Sequence, residues 1–176
     1  MLELLRFFPE DDHTAGILLA GEYELFNLNL VDWSKEDYID QWKHAAKYSL
    51  KNRRSSCFIK NYENAYHHVK MIGIYTIIPE EDANPRKYFI SEEEGNDFFI
   101  TESFLFITEN EKTFTSNDSF DEIEKSLESP FPIFYFNKSR VDKFYLYLSD
   151  RIEGISNWRI TKEDLERWIR KFEQHL

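Results

Sequence analysis

Residues 32–54 read DWSKEDYIDQWKHAAKYSLKNRR and carry the clearest helix pattern of the sequence. Ser34 is a good N-cap, because its hydroxyl can accept a hydrogen bond from a backbone N–H of the first turn. Acids follow at the start and cations crowd the end, as the helix dipole favours. Apolar residues recur at steps of three and four and make one stripe, formed by Tyr38, Ile39, Trp42, Ala45, Ala46 and Leu50. We therefore predict a helix over about 34–51 that covers one face of a sheet.

The segments on both sides of this helix have the alternating or β-branched pattern of strands. We predict strands over 1–8, 15–20, 22–30, 55–62, 66–78, 86–90, 97–108 and 131–136. Turns are expected at 10–13, around Gly21 and at 91–96. Gly73 is interpreted as a bulge or a point of close approach within its strand. Such a run of strands indicates an antiparallel sheet.

Three further segments of the second half have helical features. Residues 117–128 fit a short helix, and residues 139–152 fit either a helix or a strand, of which we choose the helix. Residues 162–175 follow a capping Thr161 and carry an apolar stripe, so we predict a C-terminal helix there. The fold class is therefore α+β, a mostly antiparallel sheet packed by a central and a C-terminal helix. We expect residues 1–176 to form a single domain.

Composition limits the classes of protein that this chain can represent. Hydrophobic residues make up 41% and aromatic residues 17%, which excludes a wholly disordered chain. No apolar run approaches the roughly 18 residues of a membrane span, and the N-terminal segment lacks the features of a signal peptide. The lone Cys57 cannot form an internal disulfide, so we expect a cytoplasmic protein and a small buried side chain at this position.

The net charge of −11 is concentrated in one segment. Residues 80–128 contain 15 acids and 4 bases, which gives −11, whereas the remainder has 18 of each and is neutral. Such a surface repels nucleic acid and membrane phosphates and attracts a basic partner. A merely solubilising face is the alternative. We expect neither nucleic acid nor membrane as a partner.

The sequence shows no motif that marks a catalytic, metal or cofactor site. It contains no HExxH, CxxC, GxGxxG, GxxxxGK or GxSxG arrangement. His67 and His68 are adjacent in a predicted strand and would point to opposite faces, so they cannot share a metal. His44 lies among lysines on the polar side of the helix, a poor setting for a general base. We predict that the protein is not an enzyme and needs no cofactor.

Within the acidic segment, the acids form three patches around the ends of predicted strands. Tyr88, Phe98 and Phe99 are near enough to act as aromatic anchors inside a charged rim. Core packing is nevertheless the expected role of at least two of these three. From charge alone, we predict that a partner contacts Glu80, Glu81, Asp82, Glu92, Glu93, Glu94, Asp97, Glu109 and Glu111.

The helix start and the following SSCFIK (55–60) resemble the immunity proteins of bacterial contact-dependent growth inhibition systems. In that family a Trp-Ser-x-x-x-Tyr-x-x-x-Trp helix start recurs beside a strand of the Ser-x-Leu/Phe type. The matching residues are Trp33, Ser34, Tyr38, Gln41, Trp42, Ala45 and Leu50. NWRITKEDLERW (157–168) also resembles the C-terminal helix of such proteins, through Trp158, Ile160, Asp164, Leu165 and Trp168.

The resemblance implies a non-catalytic cytoplasmic inhibitor that binds a cognate toxin domain, as a 1:1 heterodimer. Toxins of these systems are often nucleases with basic clefts, so an acidic segment would act as a phosphate mimic. The matched helix residues would maintain the fold, whereas the toxin-contacting residues cannot be carried over, because interfaces in this family vary with the toxin. Two alternatives remain: an acidic adaptor or regulatory domain with a partner other than a toxin, and an enzyme of a family without a recognisable motif.

Overall fold

The computed structural model of this chain describes residues 3–8, 11–19, 22–31, 33–61, 69–83, 97–108, 131–136, 141–146 and 157–173. Its strands are β1 (Glu3–Phe8), β2 (Asp11–Leu19), β3 (Glu22–Asn27), β4 (Ser56–Ile59), β5 (Val69–Pro79), β6 (Phe98–Thr108), β7 (Phe131–Phe136), β8 (Val141–Leu146) and β9 (Asn157–Ile160). The α-helices are α1 (Lys35–Asn52) and α2 (Lys162–Glu173). A short 3-10 turn, Glu80–Asp82, follows β5.

The strands form two sheets. β1, β2 and β3 make an antiparallel three-stranded sheet, and the other six are ordered β5-β4-β7-β8-β6-β9. Because β5 also pairs with β6 along its whole length, five of these strands form a closed ring of pairs. β9 pairs with the N-terminal half of β6, and β8 meets the C-terminal half at Leu105. Among the described pairs, β4–β7 alone is parallel, so the predicted mostly antiparallel α+β fold is confirmed.

Helix α1 begins with a capping box. The Ser34 hydroxyl accepts from the backbone N–H of Asp37, and the Asp37 carboxylate accepts from the backbone N–H of Ser34. The predicted stripe is the buried face, where Tyr38, Trp42, Ala45 and Ala46 are fully buried. At the other end, α1 stops at Arg53, which takes the left-handed conformation with φ of 49°. Both predicted helices are confirmed within one or two residues.

Gln41 and Trp42 of α1 complete the free edge of β4. Beyond its one bridge to β7, this edge has no strand partner in the described part of the chain. The Gln41 side chain donates to the Cys57 carbonyl at 2.8 Å and accepts from the Ile59 N–H at 3.0 Å. The Trp42 indole N–H donates to the Ile59 carbonyl at 2.8 Å. The helix therefore satisfies backbone groups that a neighbouring strand would otherwise satisfy.

An aromatic cluster joins the two sheets through α1. The Trp42 ring stacks on Phe58 of β4 at 4.5 Å and on Phe26 of β3 at 6.0 Å between centroids. Tyr75 of β5 meets both Trp42 and Phe26 edge-on, and its hydroxyl donates to the carboxylate of Glu24 on β3. One hydrophobic core thus extends from the three-stranded sheet across α1 to the larger sheet.

Several sequence-based predictions are wrong in detail. The helix predicted over 139–152 is wrong because Val141–Leu146 pairs along its length with β7 as strand β8. The turn at 10–13 is wrong, since β2 already begins at Asp11. The register of β5 and β6 runs through Gly73 without a shift, so there is no bulge. β9 was not predicted as a strand. The strand 86–90, the turn 91–96 and the helix 117–128 lie outside the described residues.

Candidate functional site

The described part of the acidic segment lies at one end of the β5–β6 pair. β5 ends at Pro79, opposite the first residue of β6, Phe98. Glu80 and Asp97 therefore adjoin, and the Glu80 N–H donates to the Asp97 carbonyl at 3.1 Å. The sequence placed these two acids in separate patches, and the structure brings them together.

Arg159 of β9 binds both of these acids. Its Nη2 lies 3.1 Å from Glu80 Oε1, and its Nε lies 2.8 Å from Asp97 Oδ2. The Glu80 side chain is only 4% exposed, and a buried carboxylate needs such a partner to offset the loss of hydration. By binding both acids, Arg159 therefore holds the two ends of the connection between β5 and β6 in place.

Glu81 is bound by Arg53, the residue that ends α1. The Arg53 Nε donates to Glu81 Oε1 at 2.7 Å, and its Nη2 binds the other carboxylate oxygen. The guanidinium also lies over the Phe98 ring, 4.5 Å from its centroid. Burial acts to raise the pKa of Glu81, but the hydrogen bond and the charge of Arg53 outweigh it and hold the pKa below its ordinary value.

Asp82 is exposed, as Glu81 is. Burial first, and then the negative charge of Glu81, raise the pKa of Asp82 above its ordinary value. Two arginines thus pair with three of the four predicted contact acids that the structure describes, Glu80, Glu81 and Asp97, and partly neutralise their charge. The remaining predicted contact residues, Glu92, Glu93, Glu94, Glu109 and Glu111, lie outside the described residues.

The predicted aromatic anchors are part of the interior. Phe98 is fully buried in the main core, and Phe99 is 4% exposed and packs with Ile78 and Ala83. Tyr88 lies outside the described residues. The prediction that at least two of the three serve core packing is confirmed.

Other reactive side chains serve packing or lie apart. Cys57 is fully buried, as predicted, and burial raises the pKa of its thiol, which opposes formation of a nucleophilic thiolate. No group of three or more potential metal ligands occurs among the residues that the structure describes. Tyr75 lies between Glu24, which accepts from its hydroxyl, and Lys60, whose ammonium lies over its ring and binds Glu102. Burial, and then the carboxylates of Glu24 and Glu102, raise the pKa of Tyr75. This cluster connects the two sheets.

Arg53 and Arg159 are the site residues that sequence reasoning missed. Arg53 was interpreted as one of several cations favoured at a helix C-terminus. Arg159 lies between two apolar residues, Trp158 and Ile160, in the short segment NWRI. This alternation is a sequence signal for a strand, and it places Arg159 on the face opposite to Trp158 and Ile160.

Comparison with known proteins yields a likeness of fold. No protein-family model and no curated protein matches the chain. The structure is similar to a chain of the CdiA-CT/CdiI toxin and immunity complex from Enterobacter cloacae, with a TM-score of 0.50. The two are 15% identical, and the likeness covers 92% of this chain and 86% of that chain. They share a fold.

In the described ranges, neither helix has the length and apolar character that crossing a bilayer requires.

The segments that carried the sequence resemblance are α1, β4 and the pair formed by β9 and α2. In the structure these elements meet, since Phe58 of β4 lies between Trp42 and Trp168. The residues of the resemblance are therefore mainly core residues.

Proposed function

We propose that this protein is an immunity protein that binds and neutralises a cognate toxin domain in contact-dependent growth inhibition. The observation that carries the proposal is the likeness, over nearly the whole chain, to a chain of a complex between a toxin and an immunity protein. The sequence resemblance in α1, β4 and α2 points to the same family. The inhibitor acts without catalysis, in the cytoplasm of a bacterium, as a 1:1 complex.

The acidic segment is the proposed contact surface. A nuclease toxin exposes a basic cleft, and carboxylates can occupy the positions of the phosphates that the cleft binds. We assign the contact to Glu81, Asp82, Glu92, Glu93, Glu94, Glu109 and Glu111, and a supporting role in the same segment to Glu80 and Asp97. Glu80 and Asp97 are tied to Arg159 and contribute by anchoring the segment, whereas Glu81 and Asp82 are accessible at the surface.

The test is calorimetric titration against the toxin domain encoded beside this protein. The change is the triple substitution of Glu92, Glu93 and Glu94 to Gln. The matched control removes the same charge from exposed or half-exposed positions of the helices, through Gln at Glu36, Glu163 and Glu166. We expect nanomolar 1:1 binding that weakens about tenfold or more in the first variant and much less in the control.

Each other outcome has a definite meaning. Tight binding that both variants leave intact keeps the immunity function and moves the interface away from this segment. Absence of heat and of any complex at low salt overturns the proposal and leaves the acidic adaptor with a different partner. Cell viability then separates the two functions, since loss of an immunity protein is lethal only while the neighbouring toxin is intact.

A further inference from the structure

The two edges of the three-stranded sheet differ in regularity. The pairing of β1 with β2 shifts register twice, between Glu3 and Arg6 and between Phe7 and Phe8. β1 also carries an exposed Arg6. Irregular pairing and a charged side chain are the usual means by which an edge strand avoids pairing with another chain. β1 is therefore a protected edge.

β3 lacks the irregular pairing that protects β1. It pairs with β2 without a register shift, from Thr14 opposite Asn27 to Leu19 opposite Glu22. Its sequence, EYELFN, contains no Pro, and its charged residues are Glu22 and Glu24, of which Glu24 accepts a hydrogen bond from the Tyr75 hydroxyl. Among the residues that the structure describes, no strand pairs with its outer side. Within the described part of the chain this edge is therefore uncovered, and its pairing is regular, which is what the addition of a further strand requires.

The hydrogen bonds next to β3 fix which backbone groups face outward. The Leu28 N–H donates to the His13 carbonyl at 2.6 Å, so Leu28 faces β2. In an antiparallel pair, the residues that bond to the neighbour alternate with those that face away. Phe26 and Glu24 therefore also bond to β2, and the N–H and C=O groups of Leu25 and Asn27 face outward.

An exposed apolar side chain lies on the same strand. Two large hydrophobic side chains stand out as exposed among the described residues: Leu25, at 60%, and Val31, at 90%. Leu25 is in the middle of β3, and Val31 follows four residues after the strand ends. The Leu25 side chain is thus exposed on a strand whose outer edge no described strand covers, and this combination is typical of an interaction surface.

We propose that β3 pairs antiparallel with β3 of a second copy across a two-fold axis, with Leu25 opposite its counterpart. This goes beyond the immunity function and does not depend on it. An antiparallel strand pair is self-complementary, because the outward groups at Tyr23, Leu25 and Asn27 of one copy meet the same groups of the other. In this register Glu24 faces Phe26, and Glu22 faces Leu28, so no two acids lie directly opposite. The two apolar Leu25 side chains make the central cross-strand pair.

The chemistry of this contact predicts a weak dimer. A single short strand pair buries less than the roughly 1,000 Å² typical of stable interfaces. Each copy also carries a net charge of −11, so the copies repel one another at low ionic strength. Added salt screens this repulsion. The dimer therefore becomes stronger as salt increases, which is the opposite of what is expected for an acidic protein on a basic toxin.

Sedimentation equilibrium of the full-length protein tests the proposal. We expect the apparent mass to rise from the 21.3 kDa of one chain toward twice that value as the concentration increases, more readily at high salt. Asn27→Pro removes an outward N–H without removing a bond to β2, so the variant should remain monomeric. Leu25→Thr keeps the strand propensity but removes the apolar pair, so dimerisation should weaken about tenfold.

The control is Asn27→Thr, which keeps the backbone N–H and should dimerise like the wild type. Circular dichroism and thermal unfolding of each variant establish that the monomer is folded. A wild-type protein that stays at the mass of one chain at high concentration and high salt overturns the proposal. So does an Asn27→Pro variant that is folded and dimerises as the wild type does. If the edge variants instead lose toxin binding while the wild type alone is monomeric, the edge belongs to the toxin interface.

Discussion

At the scale of single residues, Gln41 has a structural role, bonding to the backbone of β4, that its position in the sequence does not indicate. The helix pattern places Gln41 next to the apolar stripe, where a polar residue is not expected. In the structure it is 3% exposed and bonds with both ends of its amide to the backbone of β4. No periodicity predicts this, because the partner groups belong to residues 57 and 59 on another element.

Replacing Gln41 with Met or Ala should lower the free energy of unfolding by about 2–4 kcal/mol. Both substitutions remove the hydrogen bonds that Gln41 makes with the buried Cys57 carbonyl and Ile59 N–H. Because Met has nearly the same size as Gln, the loss of stability in Gln41→Met reports mainly these hydrogen bonds. Urea unfolding followed by circular dichroism measures the loss. Asn52→Ala, at an exposed position of the same helix, is the control and should change stability by less than about 0.5 kcal/mol.

At the scale of elements, the helices were predictable and some strands were not. Capping chemistry and an apolar stripe are local signals, and Ser34 and Thr161 both cap as their sequences indicate, with the Asp164 N–H donating to the Thr161 hydroxyl at 3.1 Å. A strand depends on its partner. Residues 141–146 satisfy both periods, and the β7 strand beside them decides the outcome. β9 has four residues, so its alternation covers a single period and is a weak signal on its own.

The packing of α2 on β4 yields the second stability prediction. Trp168 is 3% exposed and lies 6.2 Å from the Phe58 ring, centroid to centroid. Trp168→Ala should therefore cost about 3–5 kcal/mol through lost burial and a cavity. Arg167→Ala, whose native side chain is 72% exposed, should cost less than about 0.5 kcal/mol. Denaturant unfolding followed by circular dichroism compares the two, and equal losses would show that α2 does not pack on the core in solution.

At the scale of the whole molecule, charge was predictable in amount but not in arrangement. The net charge of −11 and its concentration between residues 80 and 128 can be counted in the sequence. The sequence does not indicate that Arg53 and Arg159, from distant parts of the chain, pair with acids at the start and end of the β5–β6 connection. The closed ring of strands was equally hidden, because it depends on pairs such as Ser56 with Phe134.

The two proposed associations should respond to salt in opposite directions. Raising NaCl from about 0.05 M to about 0.5 M shortens the Debye length several-fold. We expect the association rate with a basic toxin to fall by about tenfold or more, whereas self-association of the acidic chain strengthens. Stopped-flow mixing and sedimentation equilibrium measure the two. Toxin association that is indifferent to salt would contradict electrostatic steering by the acidic segment.

The completion of β4 by Gln41 and Trp42 has a consequence for synthesis on the ribosome. Phe134 emerges long after Ser56, so a nascent chain passes through a stage in which β4 has no partner strand on that side. An exposed edge of this kind is where growing chains aggregate. Because α1 precedes β4 in the chain, its two side chains are available as soon as the strand has emerged. Gln41 and Trp42 can therefore satisfy this edge of β4 before the residues of β7 have been synthesised.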